Sequence, residues 1–218
     1  MQQDFKADYF DEDFYRCNTG TKGLHRRDVN HDVYKWFSER VHDCLKDTDC
    51  KTMLDIGAGI GIRTTNHIAN GYDAYPCDVS TWACQNSVLP DKHYIADVRD
   101  LDRIKRNFDV VIAERVLGYI PKEDSFKALK EVVSKARKFV FLSIICSDHR
   151  DQQIPITAKP GRINIQPRKF WEDLLNKIPN IELDIEKTKK MLKDDWDCLY
   201  VYKKLSILFL VCNILEAI

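Results

Sequence analysis

The chain has 218 residues, and its 34 Lys and Arg residues are balanced by 34 Asp and Glu residues. This balance excludes an overall field that would draw the protein to nucleic acid or to an anionic membrane, although a local basic patch is compatible with it. Hydrophobic residues make up 44% of the sequence, which is enough for a sizeable core. The length favours one domain with additions.

The eight cysteines contain no C-x-x-C pair and no cluster with His at the spacing of metal ligands. We therefore predict free thiols and no metal site. Residues Met1 to Phe14 are acidic and lack the basic and then apolar stretch of a secretory signal. Both observations predict a cytoplasmic protein in a reducing compartment.

The first elements of the chain are an arm and a helix. Residues Asp4 to Gly23 are polar and aromatic without a helical period, which predicts an irregular arm. Apolar side chains at helical spacing then predict a helix over Val29 to Leu45 that packs on a sheet. We place an N-terminal arm at residues 1–28, the main domain at 29–204 and an apolar tail at 205–218.

A glycine-rich loop follows the first predicted strand, Thr52 to Leu54. Its sequence is Asp55-Ile-Gly-Ala-Gly-Ile-Gly61, so Gly57, Gly59 and Gly61 alternate with other residues. Such a loop lets a ligand approach bare backbone, although an ordinary tight turn between strand and helix is the alternative. A dinucleotide fingerprint would need a small residue where Ile62 stands, and this disfavours a dehydrogenase.

The form D-x-G-x-G-x-G resembles the first motif of the class I S-adenosylmethionine (SAM) dependent methyltransferases. An acidic residue in the loop fits the zwitterionic amino-acid arm of SAM better than it fits a pyrophosphate. The resemblance implies an α/β fold with a three-layer, doubly wound, Rossmann-like sheet of seven strands that ends in an antiparallel hairpin. It also implies SAM as the cofactor, bound in part by Asp55 and the three glycines.

The residues at the ends of three further predicted strands agree with this resemblance, which covers about Met53 to Ser147. A helix over Ile62 to Ala69 is stopped by Asn70-Gly71, and a strand over Tyr72 to Cys77 ends at Asp78. The resemblance assigns Asp78 and Val79 to the ribose, whereas the alternative is that Asp78 caps the next helix, for which Ser80 is equally suited.

The next strand, His93 to Ala96, leads to Asp97 and Val98, which match the pair that reads the adenine edge in these enzymes. The alternative is that Asp-Val-Arg-Asp is a plain charged loop. A fourth strand, Phe108 to Ala113, precedes Glu114-Arg-Val-Leu-Gly-Tyr-Ile-Pro121, and Glu114 completes the implied cofactor set.

Beyond this point a helix is predicted over Lys122 to Ala136, and an apolar run over Phe139 to Cys146 is typical of a buried parallel strand. The segment Asp148 to Pro167 follows that strand's carboxyl end and is a candidate wall of an acceptor pocket. The run Arg162 to Trp171 resembles a stretch of small methyltransferases encoded near sugar and surface-polysaccharide genes. Alternatively, Pro167 only starts a helix that Phe170 and Trp171 anchor in the core.

The C-terminal segments Ile181 to Thr188 and Cys198 to Lys203 have strand character and would form the final hairpin. The apolar tail, Leu205 to Ile218, is shorter than the roughly 20 residues that span a membrane. We expect it to pack on the domain or in a homodimer, with weak membrane contact as the alternative.

The predicted function is methyl transfer from SAM to a small acceptor that bears a hydroxyl or an amine, with sugars as a candidate class. A general base is needed only if the acceptor must lose a proton, and the candidates are Glu114, Tyr119 and His149. Related enzymes often carry Glu-His before Ile/Val-Pro, whereas this chain has Gly118-Tyr119 there. The alternatives are a protein or nucleic-acid methyltransferase, although no N/D-P-P-Y/F motif follows the fourth strand, and a non-catalytic binding module.

Overall fold

A computed structural model describes residues 7–17, 32–148, 161–192 and 198–205. Within these ranges the strands are β1 (Thr52–Ile56), β2 (Asp73–Asp78), β3 (Tyr94–Ile95), β4 (Phe108–Glu114), β5 (Ala136–Ile144), β6 (Ile181–Leu183) and β7 (Cys198–Lys204). They form one sheet in the order β3-β2-β1-β4-β5-β7-β6. β1 to β5 are parallel, and β7 is antiparallel to both of its neighbours, which confirms the predicted α/β fold and its C-terminal antiparallel pair.

Helices cover both faces of this sheet. They are α1 (Glu12–Cys17), α2 (Asp32–Leu45), α3 (Ile62–Ala69), α4 (Thr81–Gln85), α5 (Ser125–Lys135), α6 (Arg168–Leu175) and α7 (Ile185–Met191). α2 contacts α3 and α7 on one face, whereas α5 and α6 pack together on the other. Alternate side chains of β1 therefore lie on opposite faces of the sheet. Met53 packs on the face covered by α2, and Leu54 and Ile56 pack on the face covered by α5.

The helix after β5 begins as the sequence indicates. Pro167 stands at the N-cap of α6, and the side chain of Trp171 is fully buried against α5 and the sheet. The reading of Pro167 as a helix start and Trp171 as a core anchor is therefore confirmed.

The prediction of an irregular arm over Asp4 to Gly23 is wrong for part of its length, because residues 12–17 form α1. This helix has only six residues, too few to show a hydrophobic period. Its first turn is stabilised locally: the side chain of Asp11 accepts a hydrogen bond from the backbone N–H of Phe14 at 2.9 Å.

The prediction of a strand over Ile181 to Thr188 is also wrong beyond Leu183. Asp184 caps α7 by accepting a hydrogen bond from the backbone N–H of Lys187 at 2.9 Å, so the chain turns into a helix before it returns as β7. The capping side chain outweighs the strand character of the residues around it.

Three predictions fall wholly or partly outside the described residues. These are the role of His149, the role of most of the segment Asp148 to Pro167 as a wall of the acceptor pocket, and the packing of the tail beyond Leu205. Among the helices that the structure describes, none has the length and apolar character needed to cross a bilayer. The cysteine side chains that are described as free thiols are Cys44, Cys50, Cys77, Cys84 and Cys146.

Candidate functional site

A cavity of about 290 Å³ lies where β1, β2 and β4 end. Most of the predicted cofactor residues line it: Gly57, Gly59, Asp78, Val79, Asp97, Val98 and Glu114. Asp55 and Gly61 do not. The cavity is thus at the carboxyl edge of the parallel strands, where open α/β sheets bind their ligands.

The glycine loop presents bare backbone to this cavity. Gly57, Gly59 and Gly61 all have positive φ, at 70°, 55° and 87°. At Gly57 an added Cβ would lie 2.2 Å from Cγ2 of Val116, so no other residue fits without displacing that side chain. The backbone N–H of Gly57 donates to the carbonyl of Cys77 at 2.8 Å and ties the loop to the end of β2.

Asp78 is a buried carboxylate at the end of β2. One of its oxygens accepts from the N–H of Gly59 at 2.8 Å, and the other accepts from the N–H of Ser80 at 2.9 Å. The Tyr15 hydroxyl also donates to it, and the neighbouring Val79 N–H acts on its pKa in the same direction. Burial raises the pKa of Asp78, and these hydrogen bonds oppose the increase.

The alternative interpretation, in which Asp78 caps the next helix, is wrong, because Ser80 is the cap. The Ser80 hydroxyl accepts a hydrogen bond from the backbone N–H of Ala83 at 3.0 Å and so caps α4. The carboxylate of Asp78 is left at the cavity wall.

Asp97 lines the cavity and also takes part in a charged loop. Its carboxylate accepts from the guanidinium of Arg99 at 2.7 Å, and Arg99 reaches Asp124 at 2.8 Å. Burial acts to raise the pKa of Asp97, but the hydrogen bonds from Arg99 outweigh it, and the pKa is lowered. The interpretation of Asp97 as part of a charged loop is therefore confirmed, and its contact with adenine stays a prediction.

Asp55 is fully buried and faces α3, because it shares the face of β1 on which Met53 lies. Its oxygens accept from the Arg63 guanidinium at 2.6 Å and from the Thr64 hydroxyl at 2.8 Å. Arg63 also pairs with Glu114. Arg63 and Glu114 line the cavity, so Asp55 supports the site through Arg63, and its direct contact with a cofactor stays a prediction.

The N-terminal aromatic residues are part of the site, and the sequence interpretation missed them. Phe10, Phe14 and Tyr15 line the cavity. The Tyr15 ring stacks on Trp82 at 5.3 Å, and the Ser80 hydroxyl donates to the carbonyl of Phe10. The density of aromatic residues in the arm could have indicated that the arm packs on the domain, because aromatic side chains are costly to leave exposed to water.

The opposite wall is formed by Tyr119 and two arginines. The Tyr119 ring makes edge contacts with Phe10 at 5.8 Å and Phe14 at 5.9 Å between centroids. The guanidinium of Arg162 lies 5.8 Å from the centroid of the same ring, and Arg115 lines the cavity beside them. Of the base candidates, Glu114 and Tyr119 are therefore at the cavity.

Similarity to known proteins is found at the level of structure. No protein-family model matches the chain, and no curated protein matches its sequence. A SAM-dependent methyltransferase from Archaeoglobus fulgidus matches with a TM-score of 0.64 at 14% identity, over 83% of this chain and 97% of the other.

Two further solved structures match in the same way. Magnesium protoporphyrin IX methyltransferase from Synechocystis, with bound SAM, has a TM-score of 0.58 at 17% identity, over 92% of this chain and 95% of the other. A sugar N-methyltransferase from Streptoalloteichus has a TM-score of 0.62 at 13% identity, over 83% and 90%. The chain has the fold of the class I SAM-dependent methyltransferases.

Proposed function

We propose that this protein is a SAM-dependent methyltransferase that acts on a small acceptor bearing a hydroxyl or an amine, with sugars as the first class to test. The observation that carries the proposal is the junction of the glycine loop with Asp78: a left-handed glycine backbone faces a cavity whose wall holds a buried carboxylate. A carboxylate at this place suits a nucleoside, because it accepts hydrogen bonds from ribose hydroxyls.

In this proposal Gly57 and Gly59 leave room for the cofactor, Asp78 and Val79 hold the ribose, and Asp97 and Val98 lie at the adenine. SAM supplies a methyl group on a sulfonium, which is an activated leaving group. The protein then contributes alignment and exclusion of water. The apolar surface for alignment and for the exclusion of water comes from Phe10, Phe14 and Tyr119. Glu114 is bound by Arg63 and so helps to hold the glycine loop in place.

Calorimetric titration with S-adenosylhomocysteine, the demethylated product, tests the proposal without need of an acceptor. The native protein should bind it. Gly59→Arg should abolish binding, because the added side chain fills the cavity beside Asp78.

Gly71→Arg is the matched control. Gly71 also has a positive φ, 91°, but nothing lies within 4 Å of a Cβ built there, so the control places Arg at another position of positive φ that is away from the cavity. Equal binding by the native protein and by Gly59→Arg would contradict the proposed site, and no binding by the native protein would contradict the proposed function.

A further inference from the structure

We propose that the acceptor has an aromatic body, which packs on Phe14 and Tyr119, and an oxygen that accepts a hydrogen bond from Arg162. This inference rests on the proposed function, because it assigns to the acceptor the part of the cavity that lies beyond the cofactor residues. It narrows the acceptor to aromatic hydroxyls and amines, so sugars become the comparison that tests it.

An aromatic cluster lines the cavity on the side away from Asp78. It consists of Phe10, Phe14 and Tyr119, and each ring contacts the other two, with interplanar angles of 82°, 81° and 75°. Phe14 and Tyr119 are only partly buried, so part of each ring faces the cavity. In this edge-to-face packing a further planar ring can be added against an exposed edge or face. The cluster therefore suits an aromatic ligand.

Apolar surface continues from this cluster to the glycine loop. Val116 and Ile120 lie close to Tyr119 in the chain and also line the cavity. Val116 is the residue that a Cβ on Gly57 would meet, so it stands directly beside the loop. An aromatic acceptor would remove this apolar surface from water, whereas the hydroxyls of a sugar would lose hydrogen bonds to water against it.

One guanidinium is fixed beside the aromatic cluster. The Cζ atom of Arg162 lies 5.8 Å from the centroid of the Tyr119 ring. The carbonyl of Gly118 accepts from the N–H of Ile163 at 2.9 Å and from that of Asn164 at 3.1 Å, which holds the segment that carries Arg162. A Cβ built on Gly118 would lie 3.9 Å from Cγ of Arg162, so the stem of the arginine passes close to this glycine.

The donors of Arg162 are not used by the described part of the protein. Its guanidinium forms no ion pair and no hydrogen bond with the residues that the structure describes, although its Nε is buried. A guanidinium donates and cannot accept, so the group that completes it must carry an acceptor such as a carbonyl or ether oxygen. Because the guanidinium lies at the Tyr119 ring, an aromatic body packed on that ring can carry this oxygen.

The test uses the full chain saturated with S-adenosylhomocysteine and measures binding by ligand-observed NMR. The ligands are para-hydroxyacetophenone, phenol, the cyclohexane counterpart of para-hydroxyacetophenone, and methyl glucoside. Phenol lacks the carbonyl oxygen and should bind about tenfold more weakly than para-hydroxyacetophenone. The cyclohexane counterpart lacks the aromatic ring and should bind about threefold more weakly. Methyl glucoside should bind more weakly by about tenfold or more.

Three variants assign these differences to residues. Arg162→Met keeps the apolar stem and removes the donors, so para-hydroxyacetophenone should fall about tenfold to the affinity of phenol, and phenol itself should be unchanged. Phe14→Leu keeps an apolar contact but removes the ring, so the preference for the aromatic ligand over its cyclohexane counterpart should decrease. Arg103→Met, the control, removes an exposed arginine outside the cavity and should change neither affinity.

The outcomes separate the two proposals. If S-adenosylhomocysteine binds, but methyl glucoside or the cyclohexane counterpart binds as tightly as para-hydroxyacetophenone, the aromatic acceptor is wrong and the proposed function stands. Equal weakening of phenol and para-hydroxyacetophenone by Arg162→Met would show that Arg162 binds no oxygen of the ligand. If Arg162→Met weakens S-adenosylhomocysteine instead, Arg162 binds the cofactor, and its role here is wrong. If S-adenosylhomocysteine does not bind the native protein, the proposed function fails, and the same ligands titrated into the protein alone still test the aromatic surface.

Discussion

The two walls of the cavity are built in different ways. The cofactor wall, residues 57–61 with Asp78, consists of backbone and one carboxylate from consecutive parts of the chain. The acceptor wall, Phe10, Phe14, Tyr119 and Arg162, consists of side chains from three segments distant in sequence. A wall made of backbone tolerates few amino-acid substitutions, so it is recognisable in the sequence as a motif. A wall made of side chains can acquire a different ligand through substitution of those side chains.

The walls also differ in what supports them. Behind the cofactor wall lies a buried cluster of charges, in which Arg63 joins Asp55 to Glu114. Behind the acceptor wall are edge contacts between aromatic rings and a few backbone hydrogen bonds. Changes behind the first wall should therefore affect folding stability, and changes at the second should mainly affect ligand affinity.

The largest effect is expected for Asp55→Asn. The substitution keeps the shape of the side chain but removes a fully buried charge that Arg63 requires. We expect a loss of roughly 3–5 kcal/mol in the free energy of unfolding, the usual cost of breaking a buried ion pair. Urea denaturation followed by circular dichroism measures it.

Asp173→Asn is the control, since it breaks the exposed pair with Lys169 on α6. Exposed pairs contribute under about 1 kcal/mol. Equal small losses for both variants would show that the buried cluster does not support the cofactor wall.

Asp78→Ala comes next and tests the cofactor wall at its surface. The variant removes the carboxylate assigned to the ribose hydroxyls, and we expect the binding of S-adenosylhomocysteine to weaken by roughly 1–3 kcal/mol. Asp109→Ala also removes a buried carboxylate that accepts backbone hydrogen bonds, from Lys51 and Thr52, but Asp109 does not line the cavity. Unchanged affinity in Asp78→Ala, or an equal loss in both variants, would contradict the role given to Asp78.

The sequence predicted the cofactor wall because its residues are local and chemically constrained. Three glycines in register leave few other structures, and Asp78 follows a strand whose pattern is clear. Asp55 is the exception, since the loop motif did not indicate toward which layer its side chain points. The face on which a strand residue lies depends on the register of the sheet, and here that register directs Asp55 to Arg63.

The acceptor wall was predicted only in part for the same physical reason. Tyr119 was named from its position after β4, but its contacts with Phe10 and Phe14 join residues more than 100 positions apart. α1 is too short to show a helical period of apolar residues. The sequence also does not predict α7, because the residues at its start have strand character. Such contacts depend on tertiary structure rather than on local pattern.

A smaller effect is expected on the pH dependence of folding stability, and it comes from a histidine behind the cofactor wall. His67 of α3 is fully buried, and burial lowers its pKa from 6.5 to about 4. Between these values the unfolded chain binds a proton that the folded chain does not, so stability is complete above pH 6.5 and falls as the pH falls toward 4. From this residue alone we expect a loss of roughly 1.4 kcal/mol between pH 7.5 and pH 5.5.

The comparison of native protein with His67→Leu by urea denaturation at these two pH values measures that loss. His93, whose pKa burial also lowers to about 4, adds a similar contribution that the variant retains. The difference between the two pH values should therefore shrink in His67→Leu without vanishing. An unchanged difference would mean that His67 is protonated in the folded state at a higher pH than its burial indicates.

The smallest effect is expected where the two walls meet, at Tyr15. Asp78 has about four acceptor positions, and the N–H groups of Gly59 and Ser80 and the hydroxyl of Tyr15 donate to it. Of these three donors, only the Tyr15 hydroxyl belongs to a side chain, so it is the donor that ribose hydroxyls would replace. Tyr15→Phe removes this competitor while keeping the ring that stacks on Trp82, and S-adenosylhomocysteine should bind about threefold more tightly. Tyr9→Phe removes a hydroxyl from the same segment without touching Asp78 and should leave the affinity unchanged. Weaker binding by Tyr15→Phe would mean that the hydroxyl contacts the cofactor directly, and the arm would then belong to the cofactor wall rather than to the acceptor wall.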